Sequence, residues 1–117
     1  MDLNSAITAH AQWRTRFRAA IICGDQLDVA SIAKDNSCAL GKWLHGDART
    51  LYAGQTAFGL LLTQHAQFHA EAAKVAAAIN AKQFEQASAL LDPPSGFATA
   101  SVKVEAAIRR LQETAKV

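Results

Sequence analysis

The chain has 117 residues and a mass of 12.5 kDa, enough for one domain with one hydrophobic core and too little for a large two-domain catalytic cleft. Half of the residues are apolar and 26 are alanine, against six glycines and two prolines, a composition that favours helix. The formal charge is +2 and the twelve lysines and arginines are scattered. Arg14, Arg16 and Arg18 supply too little clustered charge for counterion release on a nucleic acid, so nucleic-acid binding is disfavoured.

No stretch approaches the ~18 consecutive apolar residues that would span a bilayer. The N-terminus, Met1-Asp2-Leu3-Asn4, lacks a charged region followed by an apolar one. These features predict one cytoplasmic domain over residues 1–117, without membrane insertion. The starting methionine and a C-terminus soon after the last helix fit either a solitary module or an N-terminal piece of a longer protein.

From Leu3 to Ile22 the apolar residues recur at helical spacing, with Ile7, Trp13, Phe17 and Ile21 in a stripe, and Gly24-Asp25 ends this first helix. Leu27 to Gly54 reads as an elbow of short helical pieces, Asp28 to Ala33, Cys38 to Leu44 and Asp47 to Tyr52, joined by polar turns. From Gln55 to Ala81 the pattern is helical again, with Phe58, Leu61, Leu62, His65, Phe68, Ala72, Val75 and Ile79 on or near one face. Phe84 to Leu91 adds a turn or two before Asp92-Pro93-Pro94-Ser95-Gly96 breaks the helix. A last helix runs from about Phe97 to Ala115, with Val102, Val104, Ile108 and Leu111 as its apolar positions. The predicted fold is all-α, an antiparallel four-helix bundle with an additional short-helix elbow.

The residues able to do chemistry are four histidines and two cysteines. His65 and His69 are four apart, which puts both imidazoles on one helix face, close enough to converge on one ion. The pair alone is a weak signal, and the segment Gln64-His65-Ala66-Gln67-Phe68-His69 lacks the glutamate of a zinc-protease motif. His10 shares a face with Trp13 and Phe17 and points inward, either to a ligand or to a backbone carbonyl. Cys38 begins a short helical piece, where local amide dipoles favour a thiolate, but taken by itself it reads first as a buried inert thiol. Together the three histidines and Cys38 make a complete tetrahedral nitrogen and sulfur set for Zn²⁺, drawn from the first helix, the elbow and the long third segment. Such an ion would tie three pieces of chain together.

His10-Ala11-Gln12-Trp13, Cys38-Ala39-Leu40-Gly41-Lys42-Trp43-Leu44 and His65-Ala66-Gln67-Phe68-His69 resemble the three motifs of the chemoreceptor zinc-binding (CZB) domain family. The resemblance covers nearly the whole chain, and its central element is Cys-x-Leu-Gly-x-Trp. It implies zinc ligation by His10, Cys38, His65 and His69. It also implies a cytoplasmic helical bundle, commonly a homodimer, acting as a sensory or regulatory module for a bacterial chemoreceptor or a diguanylate cyclase. The family further implies that zinc occupancy, or oxidation of the zinc-bound cysteine by hypochlorous acid, changes the output.

Four protein ligands leave no position for an activated water, so the expected role is regulatory and not enzymatic. Three functions are carried forward: a zinc sensor, a redox switch at Cys38, and a plain helical interaction module. Cys23, at the end of the first helix, is expected in core packing, with a lesser role as a resolving thiol. His45 is left outside the site as a surface group or a partner of a helix C-terminus. Asp28 and Asp35 are candidates to hold an imidazole through its free N–H. Trp13, Trp43, Phe17 and Phe68 are expected to form a dry wall around the ion. The alanine-rich stretch Ala70 to Ala81 permits close packing in a dimer and in a monomer alike.

Overall fold

A computed structural model describes residues 1–115. Seven α-helices follow one another: α1 (Leu3–Cys23), α2 (Val29–Ala33), α3 (Ala39–His45), α4 (Asp47–Tyr52), α5 (Thr56–Asn80), α6 (Phe84–Leu90) and α7 (Gly96–Ala115). The described residues contain no strand, and the all-α expectation holds.

Local chemistry sets the boundaries. The Asp2 carboxylate accepts from the Asn4 amide at 3.0 Å and from the Ser5 hydroxyl at 2.8 Å, which caps α1. Gly24 ends it in the left-handed region at φ 70°, its N–H donating to the Ala20 carbonyl. Asp28 caps α2 by accepting from the amide and the hydroxyl of Ser31. The Ser95 hydroxyl accepts from the Ala98 amide at the start of α7.

Three helices are long, α1, α5 and α7, and short α6 packs against all three. Their directions follow from cross-helix contacts. Asn4 meets Gln112, and Phe17 meets Phe97, so α1 and α7 are antiparallel. Phe68 also stacks on Phe97, and Glu71 lies against Gly96, so α5 and α7 are antiparallel too. His10 meets His65, while Leu27, just past α1, bonds to Asn80 at the end of α5. Helices α1 and α5 therefore run in the same direction, a refinement of the antiparallel bundle expected from the sequence. The physical reason is the elbow: residues 24–55 carry the chain back to the starting end of α1 before α5 begins.

Alanine makes this packing close. Ala6 and Ala20 of α1, Ala72 and Ala76 of α5, and Ala100 and Ala107 of α7 are all buried, and small side chains let helix axes approach. Between them sit Phe17, Phe68, Leu61, Val75, Ile108 and Leu111, each almost without exposure. The expected stripe of α1 is correspondingly shifted, since Ile7, Trp13 and Ile21 are only partly buried and the alanines take the inner positions. Val102, expected on the inner face of α7, is 70% exposed. No helix among the described residues is long and apolar enough to cross a membrane.

Candidate metal centre

The site is assembled from three elements. His10 stands on α1, 6% exposed; His65 and His69 stand one turn apart on α5, 0% and 2% exposed; Cys38 is the N-cap of α3 and is half-buried. Bringing α1 beside α5 sets His10 against the pair, and the elbow then lays α3 over the three rings. One donor atom from each of the four residues lies within 4.8 Å of the others.

Five of the six donor–donor spacings approach the edges of a tetrahedron, and the sixth, His10 to His69, lies within 4.8 Å. Nε2 of His65 is 3.1 Å from Nε2 of His10 and 3.1 Å from Nε2 of His69. The Cys38 sulfur is 3.3 Å from His65 Nε2, 3.6 Å from His69 Nε2 and 4.0 Å from His10 Nε2. Bond lengths of ~2.0–2.1 Å to nitrogen and ~2.3 Å to sulfur give tetrahedral edges of about 3.3 Å between nitrogens and about 3.6 Å from nitrogen to sulfur. The donor set and its dimensions fit zinc.

Two of the rings are held with their lone pairs inward. His10 Nδ1 is 2.8 Å from the Ala6 carbonyl and His69 Nδ1 is 2.9 Å from the Ile32 carbonyl. A carbonyl only accepts, so both Nδ1 atoms carry the proton and both Nε2 atoms present a lone pair to the cluster. His65 Nε2, 3.1 Å from each of these lone pairs, meets them either with its own proton or through a cation lying among the three, and a buried metal ligand is commonly oriented by such a bond on its other nitrogen. The third ring, His65, has no hydrogen-bond partner for its buried Nδ1 among the described residues.

Electrostatics agree with neutral ligands. Burial, followed by repulsion from His69 and His10, pushes the His65 imidazole down to about 3. Burial also lowers His10, against the opposing effect of its bond to Ala6. Cys38 moves the other way: burial raises its thiol, and the amide of Gly41, donating to the sulfur at 3.3 Å, offsets this only in part. Of the two sequence readings of Cys38 alone, this direction agrees with the buried thiol and not with the dipole-stabilised thiolate. In the metal-free chain the desolvation of Cys38 outweighs its amide contacts, and a divalent cation would supply the charge that makes a thiolate stable.

The remaining sequence candidates sort clearly. Asp28 is used up in capping α2, and Asp35 pairs with His45 at 3.2 Å, outside the cluster, so neither holds a ring of the cluster; the Ala6 and Ile32 carbonyls hold two of them. Phe68 forms the expected wall, meeting the rings of His10 and His69 edge-on with centroids 5.2 and 5.6 Å away. Trp43 instead meets Tyr52 within the elbow, and Trp13 tilts against Phe17. Cys23 is exposed and not in the core. It lies thirteen residues beyond His10 on α1, about 20 Å along the axis, too far from Cys38 for a disulfide within one chain.

Sequence reasoning offered a backbone carbonyl for His10 only as an alternative to ligation, whereas one ring nitrogen meets the Ala6 carbonyl while the other faces the cluster. It missed the Ile32 carbonyl on His69, which no residue type announces. It also quoted Gly41 within a motif without a role, although a glycine three residues after a cysteine cap is a visible signal. Nothing among curated proteins or solved structures matches the chain. The model of one family, the chemoreceptor zinc-binding domain, matches residues 10–76, more than half of the chain and all four converging side chains. With this match and a donor set that fits zinc, the chain belongs to the chemoreceptor zinc-binding domain family.

Proposed function

We propose that His10, Cys38, His65 and His69 are the zinc ligands and that the domain is a regulatory module whose zinc occupancy controls a signalling output. The observation that carries this reading is the pair of backbone bonds from His10 to Ala6 and from His69 to Ile32, which leave two inward lone pairs beside a sulfur. Four protein donors fill a tetrahedral zinc and leave no site for an activated water, which supports regulation over hydrolysis. Because Ile32 and Cys38 both belong to the elbow, ion binding is coupled to the elbow's hold on α5. The output, following the family, is a chemoreceptor or a diguanylate cyclase in the cytoplasm of a bacterium, reached through a homodimer.

Metal analysis with X-ray absorption tests the ligand set: one zinc per chain with three nitrogens and one sulfur is expected. Loss of the sulfur scatterer in Cys38→Ser, with helicity unchanged, supports the assignment; one sulfur retained in that variant overturns it. Hydrogen exchange with and without zinc tests the coupling, with slower exchange across α2 and α3 expected in the loaded protein.

A second reading, oxidation of zinc-bound Cys38 as the physiological signal, draws support from the sulfur's partial exposure beside three buried rings. It calls for Cys38 to be oxidised as zinc is released, followed by mass spectrometry. A reduced Cys38 in protein that has released its zinc under mild oxidant speaks against it.

A further inference from the structure

Two cavities reach the cluster. The larger, about 630 Å³, lies between the second half of α1 and the elbow; it touches both Cys38 and His69. Its walls include Phe17, Ala20 and Ile32, and Asp25, Ser31 and Ser37 add polar groups to its lining. The smaller, about 160 Å³, lies between α1 and α7 and reaches only His10 of the four. Exposure singles out the sulfur, because Cys38 is half-buried while His10, His65 and His69 are 6%, 0% and 2% exposed.

We propose that the larger cavity is the passage by which Zn²⁺ reaches and leaves the cluster, Cys38 and His69 being the first donors to take the ion and the last to release it. The inference rests on the ligand set proposed above. A hydrated divalent cation must exchange its water for protein donors stepwise, and oxygens along the way lower the cost of shedding each one. The Ser31 and Ser37 hydroxyls and the Asp25 carboxylate offer such oxygens, and all three residues are exposed. Asp25 enters no salt bridge among the described residues, and with Asp28 it outweighs the one cation of the lining, Arg16, whose guanidinium lies over the Trp13 ring. Asp28 also lines the cavity, but its carboxylate is occupied by Ser31. The other approach has polar groups too, in Ser101 and Glu105, but it is about a quarter of the volume and ends at one ring, without the sulfur.

A passage is distinguished from a part of the site by kinetics, since narrowing it slows arrival and departure by the same factor and leaves the equilibrium unchanged. Ala19 lines the larger cavity from an exposed position on α1, so Ala19→Trp obstructs it without entering the core. Val102→Trp obstructs the smaller groove in the same manner. Zinc association with the metal-free chain is followed by stopped flow, and release into chelator is extrapolated to zero chelator. Ala19→Trp is expected to slow both rates tenfold or more with an unaltered Kd, and Val102→Trp to slow neither. Unchanged rates in Ala19→Trp, slowing in Val102→Trp, or a release rate that moves without association overturns the proposal.

A second measurement needs no metal. In a Cys23→Ser background, iodoacetamide alkylates Cys38, an S–C bond forming as iodide leaves and the thiol proton passes to solvent. Ala19→Trp is expected to slow this alkylation about tenfold, and an unchanged rate again overturns the passage. If the chain takes up no zinc at all, the ligand assignment fails and the alkylation result alone judges the passage.

Discussion

The carbonyl oxygen of Asp35 lies where a side chain at residue 41 would have to begin: a Cβ built on Gly41 stands 1.7 Å from that oxygen and 2.7 Å from its carbon. Both obstacles are backbone, so relief requires α3 to move away from the Asp35–Asn36 turn, and Cys38 moves with it. The same residue donates its amide to the Cys38 sulfur. Gly41→Ala is therefore expected to weaken zinc binding tenfold or more, because overpacking costs ~1–3 kcal/mol and the displacement falls on Cys38, one of the four proposed ligands. Helicity by circular dichroism stays near that of the parent, since α1, α5 and α7 do not depend on this turn. Competition with a chelator of known affinity measures the effect, and parental affinity in Gly41→Ala would show that the turn yields freely.

Acid acts on the cluster through the depressed histidines. His65 is held down to about 3 and His10 is lowered as well, whereas in the unfolded chain a histidine takes its proton near its ordinary value of 6.5. Below about 6.5 the unfolded state thus binds protons that the folded state refuses. Stability of the metal-free protein is expected to be constant above this value and to fall as pH drops from about 6.5 toward 3, by about 1.4 kcal/mol per pH unit for each proton of difference. Zinc favours the same neutral rings and shifts the fall to lower pH. Urea unfolding of metal-free and loaded protein between pH 7 and pH 4 measures it; a metal-free stability independent of pH in this interval contradicts neutral burial of His65.

Much of this site was legible because its donors are rare residue types at telling intervals: a histidine pair four apart on α5, and a cysteine that serves as an N-cap. Helix limits were legible for the same reason, since Asp28 and Gly24 act locally. The imidazole holders were not, because the Ala6 and Ile32 carbonyls are common to every residue and only the fold selects them. Asp28 and Asp35 looked suitable by type, yet nearer partners, Ser31 and His45, satisfy them. Nor could periodicity choose the buried face of α1, where Ala6 and Ala20 displaced Ile7 and Ile21 from the inner positions. In an alanine-rich bundle, close approach of helix axes decides what is inside, and residue hydrophobicity discriminates poorly.

Phe68 has its whole side chain among the clustered histidines and the core, touching His10, His69 and Phe97 with no exposure. Phe68→Ala is expected to lower stability by ~3–5 kcal/mol, the usual cost of truncating a buried phenylalanine. It also removes the wall that holds two imidazoles edge-on, so zinc affinity falls together with stability. Phe68→Leu retains most of the volume and is expected to lose less of both. Denaturant unfolding with and without zinc separates the contributions: an alanine variant with weakened stability and parental zinc affinity would mean that the backbone bonds alone orient the rings.

The elbow is fastened at one further point. The Asn80 side chain accepts from the Leu27 amide at 2.8 Å and donates to the Leu27 carbonyl at 2.8 Å, joining the chain just before α2 to the end of α5. One residue later Asp28 caps α2, and α2 carries the Ile32 carbonyl that orients His69. The two bonds therefore set the register between α2 and α5 on which the His69 lone pair depends. Asn80→Ala leaves both Leu27 groups without their partner, at a cost of ~1–3 kcal/mol for a partly buried site. Amide exchange at Ile32 is expected to quicken about tenfold and zinc affinity to fall a few-fold. Asn80→Asp keeps an acceptor for the Leu27 amide but turns a carboxylate toward the Leu27 carbonyl, so it should not restore the parent. If α2 keeps its protection in Asn80→Ala, packing against α5 alone fixes the register and the His69 bond to Ile32 survives without the tether.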